Sequence, residues 1–297
     1  KIGYFIDQNS KKKINQFKNI SANNKFKLIG IVDKKYKTIK LFNKKKIPAF
    51  ININEALNKL SPDLIIISSN TNTHLDILKR LINFNGIILL EKPLSNNLQE
   101  SNKIMFLIKK YKMNVFINYF REYFEEIIKE FTTLSKSNTY KRCIIHYSSS
   151  IKENLPHHLS LILLVFKNIV SIESLDKKIK KADFRIYFKN GCVDILSNKK
   201  FNYKHDLIEI YDKKKLLSLQ LHPLILKKTI ITKDEEFPNE YVLFNNITKN
   251  KVYKKNLFKN IYENIYKSFN KKKHIKVSLT KSNLVDKITT IILKKRN

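Results

Sequence analysis

Two stretches of this sequence place groups that can move protons or steady charge at the ends of apolar runs. Glu91-Lys92-Pro93 closes the run GIILL, and Pro156-His157-His158 opens the run LSLILLVF. A lysine held at a strand end can hydrogen-bond an oxygen and steady the negative charge that develops on it. Histidine, with an unperturbed pKa of about 6.5, takes up and returns a proton near neutrality. Pro93 fixes the backbone beside the lysine, and Glu91 would orient it or hold the strand end. The plainer alternatives are a solvated loop lysine, one histidine capping its helix and the other packed in a core. Upstream, DLIIISSNTNTH ends an apolar run in Ser69-Asn70-Thr71-Asn72-Thr73-His74, and KLIGIVD ends another in Asp33.

The elements that must hold these groups alternate. KIGYFI reads as a first strand and KINQF as the start of a helix. The strand KLIGIV follows, and after the connection KKKIPAFININEAL comes DLIII, a continuous apolar strand of the doubly buried kind. THLDILKRLINF carries Leu75, Leu78, Leu81 and Ile82 at helical spacing, with Asn85-Gly86 as a C-cap signature. GIILL, the helix LQESNKIMFLIKKYK and the strand MNVFINYF complete the series. Strand, helix and strand in this cadence predict a parallel sheet covered on both faces. The carboxyl ends of such strands converge on one crevice, which puts Lys92, His74 and the first turn at the same site.

Beyond about residue 120 the cadence changes. A helix (EYFEEIIKEFTTL), the strand TYKRCIIHYSSS and the helix HHLSLILLVFK lead into hairpins. One turns at Asn190-Gly191, a strong short hairpin signal, and one at Asp212 to Lys214. HIKVSL reads as a late edge strand and LVDKITTIIL as a closing helix. The fold class is therefore α/β. A Rossmann-type parallel sheet spans residues 1–118, and an α+β domain with an open, largely antiparallel sheet spans 119–297.

The segment DLIIISSNTNTHLDILKRLINFNGIILLEKPLSNN resembles the heart of the Gfo/Idh/MocA oxidoreductases, the glucose-fructose oxidoreductase and inositol dehydrogenase family. Those proteins carry a strand, S/T-P-x-x-x-H, a helix, a strand and then E-K-P. Here the pieces stand as Ser69 to His74 and Glu91-Lys92-Pro93-Leu94, and NYFREY looks like the family's crossover into its second domain. The resemblance implies hydride transfer between a nicotinamide cofactor and a sugar, polyol or nucleotide sugar. It implies a catalytic or substrate-positioning Lys92, and a histidine on the second domain's helix as acid/base. The family writes that helix D-x-x-x-H-x-x-D. Aligning His157 puts Glu153 at the first acid and Ser160 at the second, with His158 the competing choice and Lys167 where a glycine is usual. Lys92, Arg121, Glu153, His157 and His158 are the expected substrate contacts. The antiparallel sheet is the expected surface of a homodimer or homotetramer. No metal is expected.

The first turn departs from the family. A dinucleotide loop needs glycines for a tight turn, for close approach to pyrophosphate and for packing. Ile6, Gln8 and Lys11 stand at those positions. Asp7 adds negative charge, offset by Lys11, Lys12 and Lys13 at the helix start. Asp33 stands where an acid binds the adenosine ribose hydroxyls, which favours NAD over NADP, with Lys34 and Lys35 beside it. The expected cofactor contacts are Asp7, Gln8, Asn9, Asp33, Ser69, Asn70, Thr71, His74, Glu91 and Lys92. A working dehydrogenase is one reading. A non-catalytic relative that binds a sugar or a partner protein is the other.

Composition adds exclusions. The formal charge of +34 raises nucleic acid and membrane surfaces as partners. Yet arginine stands only at Arg80, Arg121, Arg142, Arg185 and Arg296, while lysine, asparagine and isoleucine abound. Those three share A/T-rich codons, and a base reader would favour arginine. Neither nucleic acid nor membrane is expected. No apolar run approaches the ~20 residues of a membrane span. Charged first residues without a following apolar stretch and cleavage site argue against export. Cys143 and Cys192 make no disulfide framework, so a reducing, cytoplasmic setting is expected.

Overall fold

A computed structural model describes residues 2–5, 24–148, 151–152, 154–175, 183–198, 203–253 and 258–296. The turn at 6–11 and the helix expected at KINQF lie outside the described residues. The chain forms two compact units, Lys1–Tyr123 with Phe258–Lys287, and Phe124–Leu257 with Ile288–Asn297.

The first unit is built on six strands: β1 (Ile2–Phe5), β2 (Leu28–Val32), β3 (Ala49–Phe50), β4 (Leu64–Ile67), β5 (Ile87–Leu90) and β6 (Asn114–Ile117). Their order is β3-β2-β1-β4-β5-β6, and every neighbouring pair is parallel. This is the doubly wound arrangement, with its switch point between β1 and β4. All four side chains of β4 are fully buried and those of β5 nearly so. Helices on both faces explain why these strands read as unbroken apolar runs. The helices are α1 (Tyr36–Lys44), α2 (Ile53–Leu60), α3 (His74–Arg80) and α4 (Leu98–Lys110). Asparagine starts two of them: Asn52 accepts from Asn54 N (2.8 Å) and Asn97 from Glu100 N (2.9 Å).

The second unit begins with α5 (Glu125–Ser135), β7 (Lys141–Tyr147) and α6 (Leu155–Ile162). The strands β8 (Ile169–Ser174), β9 (Phe184–Phe188), β10 (Gly191–Ser197), β11 (Leu207–Asp212), β12 (Lys215–Leu221), β13 (Leu224–Lys233) and β14 (Tyr241–Tyr253) follow. With β7 they form an eight-stranded sheet, ordered β14-β13-β12-β11-β7-β10-β9-β8 and antiparallel except for β7 with β10. Every side chain of α6 is buried, the polar His157, His158 and Ser160 included. The chain ends in α7 (Lys259–Phe269) and α8 (Leu279–Arg296).

Several expectations need correcting. KKKIPAFININEAL, residues 44–57, is not a plain connection: it holds the short edge strand β3 and the start of α2, and α1 runs up to it. HIKVSL is not a strand. Its partners are side chains, with Ile275 N donating to Asn264 Oδ1 (2.7 Å) and Lys276 Nζ to Asn114 Oδ1 (2.7 Å) instead of a ladder. Gly86 does not cap α3 in a left-handed conformation. It precedes β5, where a Cβ would lie 2.5 Å from Asp63 O, so close approach is what demands glycine. The β9–β10 hairpin turns through Lys189-Asn190, and Gly191 is already paired with Phe188. With only four glycines in the chain, left-handed backbone among the described residues falls to Lys46, Ser61, Lys112, Asn168 and Lys271.

Candidate functional site

The carboxyl ends of β2 and β4 border a cavity of about 180 Å³. Val32, Asp33 and Lys34 line one side, Ser69 and Thr73 the β4 end, and Asp76, Ile77 and Arg80 the face of α3. Ile51 and Ile53 complete the wall. Asp33 is buried, its amide donates to Phe50 O (2.9 Å), and its Oδ1 accepts from Lys35 N (2.8 Å). The carboxylate is thus fixed at the tip of β2 by its own turn. At the tip of β4 a single helical turn, Thr71–Thr73, leads into α3. Thr73 Oγ1 contacts Ser69 Oγ (2.7 Å) and Asn70 O (2.8 Å). Ser69 and Thr73 therefore reach the cavity, while Asn70 and Thr71 shape the turn. A slot with isoleucine walls and a fixed carboxylate suits a flat heterocycle joined to a vicinal diol. Lys34 and Arg80 add positive charge at its edge.

The second cluster surrounds Lys92, at the tip of β5. Glu91 and Lys92 are both buried. Asn118, just past β6, donates from Nδ2 to Glu91 Oε1 at 2.6 Å. His74, fully buried at the start of α3, donates from Nδ1 to Leu94 O (3.1 Å). The loop after Lys92 is met from the far end of the chain by Asp286 on α8. Asp286 Oδ2 accepts from Ser95 N (3.2 Å) and from Ser101 Oγ (3.1 Å). Burial pushes the Asp286 carboxyl up to about 7, against the pull of those donors, the Leu94 main chain and the charge of Lys92. Burial, Asp286 and Glu122 push the Tyr119 phenol well above its ordinary value. Glu122 pairs with Lys281 of α8. Arg121 is buried in the turn Phe120–Tyr123, its guanidinium 4.6 Å from the centre of the Phe120 ring.

In the second unit both candidate histidines lie on α6, behind Pro156. His157 is 7% exposed and its carbonyl accepts from Ser160 Oγ (3.0 Å). His158 is wholly buried. Its Nδ1 donates to Asn154 O (2.9 Å), and its Nε2 faces Asp206 Oδ1 at 3.8 Å. Asp206 also accepts from Ser148 N (2.9 Å) and lies 3.5 Å from Nε2 of His222, on the turn after β12. His158 thus sits in a polar knot, and of the two only His157 retains some exposure. Asp7, Gln8, Asn9 and Glu153 lie outside the described residues.

Sequence reasoning missed Asn118, Tyr119 and Asp286. Asn118 carried a local signal, since it follows an apolar strand next to the one that ends in Lys92. Asp286 carried none, being 191 residues from the Ser95 amide it meets.

Residues 2–119 match the Gfo/Idh/MocA model described as an oxidoreductase family with an NAD-binding Rossmann fold. Over residues 2–119 the chain belongs to the Gfo/Idh/MocA family. Solved structures with the same fold run the length of the chain. One is the UDP-N-acetylglucosamine 3-dehydrogenase GnnA from Acidithiobacillus ferrooxidans, with 12% identity, 98% of this chain and 96% of that one covered, and a TM-score of 0.76. Another is the dehydrogenase MviM from Clostridium difficile, at 16% identity, 99% and 98% coverage, and a TM-score of 0.74. A third is an oxidoreductase from Agrobacterium radiobacter in complex with NAD+, L-tartaric acid and magnesium, at 12%, 99% and 96%, with a TM-score of 0.71. No curated protein matches by sequence. The Gfo/Idh/MocA match ends at Tyr119, directly before the turn that holds Arg121. Among the described residues no helix is long and apolar enough to cross a membrane.

Proposed function

We propose that this chain is an NAD(P)-dependent oxidoreductase of the Gfo/Idh/MocA family that moves a hydride to or from a hydroxyl-bearing carbon of a sugar, polyol or nucleotide sugar. In this reading residues 1–118 bind the cofactor, and 119–297 bind substrate and pair with a second copy of the chain. The observation that carries it is the arrangement of strand tips: a fixed carboxylate, Asp33, borders an apolar-walled cavity, and a buried lysine stands at the tip of β5 in the same sheet.

The residues fit the cofactor at its adenosine end. Asp33 would take the ribose hydroxyls, which favours NAD, and Ile51, Ile53 and Ile77 would flank the adenine. Lys34 and Arg80 line the same cavity and are the groups that would tolerate a 2′-phosphate. His74 and Asn118 hold the loop and the strand end that carry Lys92. A bound nicotinamide would supply the hydride acceptor or donor. Lys92 would hydrogen-bond the reacting hydroxyl and steady negative charge on its oxygen. His157, the more exposed of the pair on α6, would take the alcohol proton during oxidation and return it during reduction. Arg121 would meet an anionic substrate group. GnnA, which shares this fold, is a UDP-N-acetylglucosamine dehydrogenase, and nucleotide sugars are therefore the first class to assay.

The test is titration of the purified chain with NADH and NADPH, followed by ultraviolet fluorescence and thermal shift. Saturable binding with NADH preferred is the expected result. No binding at millimolar cofactor would leave the alternative, a relative that keeps the fold to bind a sugar or partner. The glycine-free turn from Ile6 to Lys11 is the feature that favours that second reading.

A further inference from the structure

Three polar side chains meet at the start of α6, the helix that carries His157. His158 is wholly buried, and its Nδ1 lies 2.9 Å from Asn154 O. Its Nε2 faces Oδ1 of Asp206 at 3.8 Å. Asp206 is 1% exposed. Its Oδ1 also accepts from Ser148 N (2.9 Å), and its Oδ2 lies 3.5 Å from Nε2 of His222. The carbonyl of Asn154 takes a second donor, the amide of His157, at 2.9 Å. One oxygen thus holds both the His158 ring and the His157 main chain.

We propose that His158 is a buried imidazolium paired with Asp206, and that this pair positions His157 rather than serving as a second acid/base. The role given to the pair rests on reading His157 as the group that exchanges the alcohol proton. A carbonyl oxygen only accepts, so Nδ1 of His158 carries a proton. A neutral ring would then turn the bare lone pair of Nε2 towards a carboxylate. A second proton, on Nε2, turns that repulsion into attraction. It also gives Asp206 the positive charge that a carboxylate needs when it is taken out of water. A ring that already holds both protons cannot take one from a substrate, which leaves that work to His157.

His222 faces the same carboxylate from the turn after β12. His205 precedes Asp206 in the chain, its ring 5.5 Å from that of His146 on β7. Ser148, just past β7, is a neutral donor. Asp206 is the one acid among these groups, and its charge is what retains the second proton of His158.

The experiment is nitrogen-15 NMR of the histidine side chains in the full chain, titrated across neutrality, for wild type and Asp206→Asn. His158 should keep both ring protons to at least about one unit above the ordinary histidine value of about 6.5, and the variant should lose that upward shift. A singly protonated His158 at neutral pH, or an unchanged midpoint in the variant, would overturn the proposal. Where the variant does not fold, the wild-type titration decides alone. Turnover separates positioning from proton exchange. His158→Gln should lower kcat yet keep the dependence of kcat on a group that titrates near neutrality, whereas His157→Gln should abolish that dependence. The opposite result would equally overturn the proposal. The NMR readout needs neither cofactor nor turnover. A chain that binds no NADH yet shows the imidazolium would sink the redox reading and leave the pair of His158 and Asp206 standing.

Discussion

Asn118 Nδ2 stands 2.6 Å from Glu91 Oε1, a buried bond that ties the carboxyl ends of β5 and β6 across 27 residues of chain. Glu91 cannot hydrate where it lies, so the amide takes the place of water at one oxygen. The side chain next along is Lys92, and the bond holds the strand end that presents it. Replacing Asn118 by Ala should cost about 2 kcal/mol through the lost donor to a buried carboxylate. Asn118→Asp should cost more, since it sets two acids face to face. Urea unfolding checks both, and wild-type stability in Asn118→Ala would mean the bond holds nothing.

Removing the lysine tests the chemistry. Lys92→Ala should lower kcat by about 10²-fold or more, as loss of a group that steadies charge on an oxygen does. NADH affinity should stay within a few-fold of wild type, because the cavity at Asp33 is left intact. Turnover and cofactor titration on the same preparation separate the two effects. Unchanged kcat would remove Lys92 from the site.

Cofactor choice should turn on Asp33. Its carboxylate is held by the Lys35 amide at the cavity wall, where on the proposed function it would repel a 2′-phosphate and accept ribose hydroxyls. Asp33→Ser should weaken NADH by roughly tenfold, the worth of a charge-assisted hydrogen bond, and leave NADPH less affected or tighter. Equal losses for both cofactors would place the adenosine elsewhere.

Stability should fall as pH rises from about 4 towards about 7. The Asp286 carboxyl ionises at about 7 in the fold and near 3.8 in the unfolded chain. Between those values the folded protein keeps a proton that the unfolded chain has released, so each step up in pH favours unfolding. Asp286→Asn removes this term. The variant should exceed wild type by up to about 4 kcal/mol at pH 8 and match it near pH 4. Denaturant midpoints at the two pH values give the comparison. Equal pH dependence in the two proteins would mean that Asp286 is not a strained acid.

Much of the first unit was legible because its constraints are local. Leu64–Ile67 and Ile87–Leu90 are doubly buried parallel strands, and such strands must be apolar throughout. Their tips carry polar residues at fixed distances, so Ser69, His74, Glu91 and Lys92 could be read straight from the chain. Signals that one residue can satisfy in two ways were less secure. Gly86 looked like a helix cap and is instead a point of close approach to Asp63 O. HIKVSL alternates as a strand would, yet its amide at Ile275 goes to the Asn264 side chain.

The order of elements, the family of residues 2–119 and the lysine at the tip of β5 could all be read along the chain, because periodicity and strand-end chemistry are written within a few residues. What holds that lysine came from folding alone. The bonds of Asn118 to Glu91, His74 to Leu94 and Asp286 to Ser95 join residues 27, 20 and 191 positions apart. No local pattern specifies which distant polar group will be buried beside another, since that is fixed only when the sheet closes and α8 returns to it.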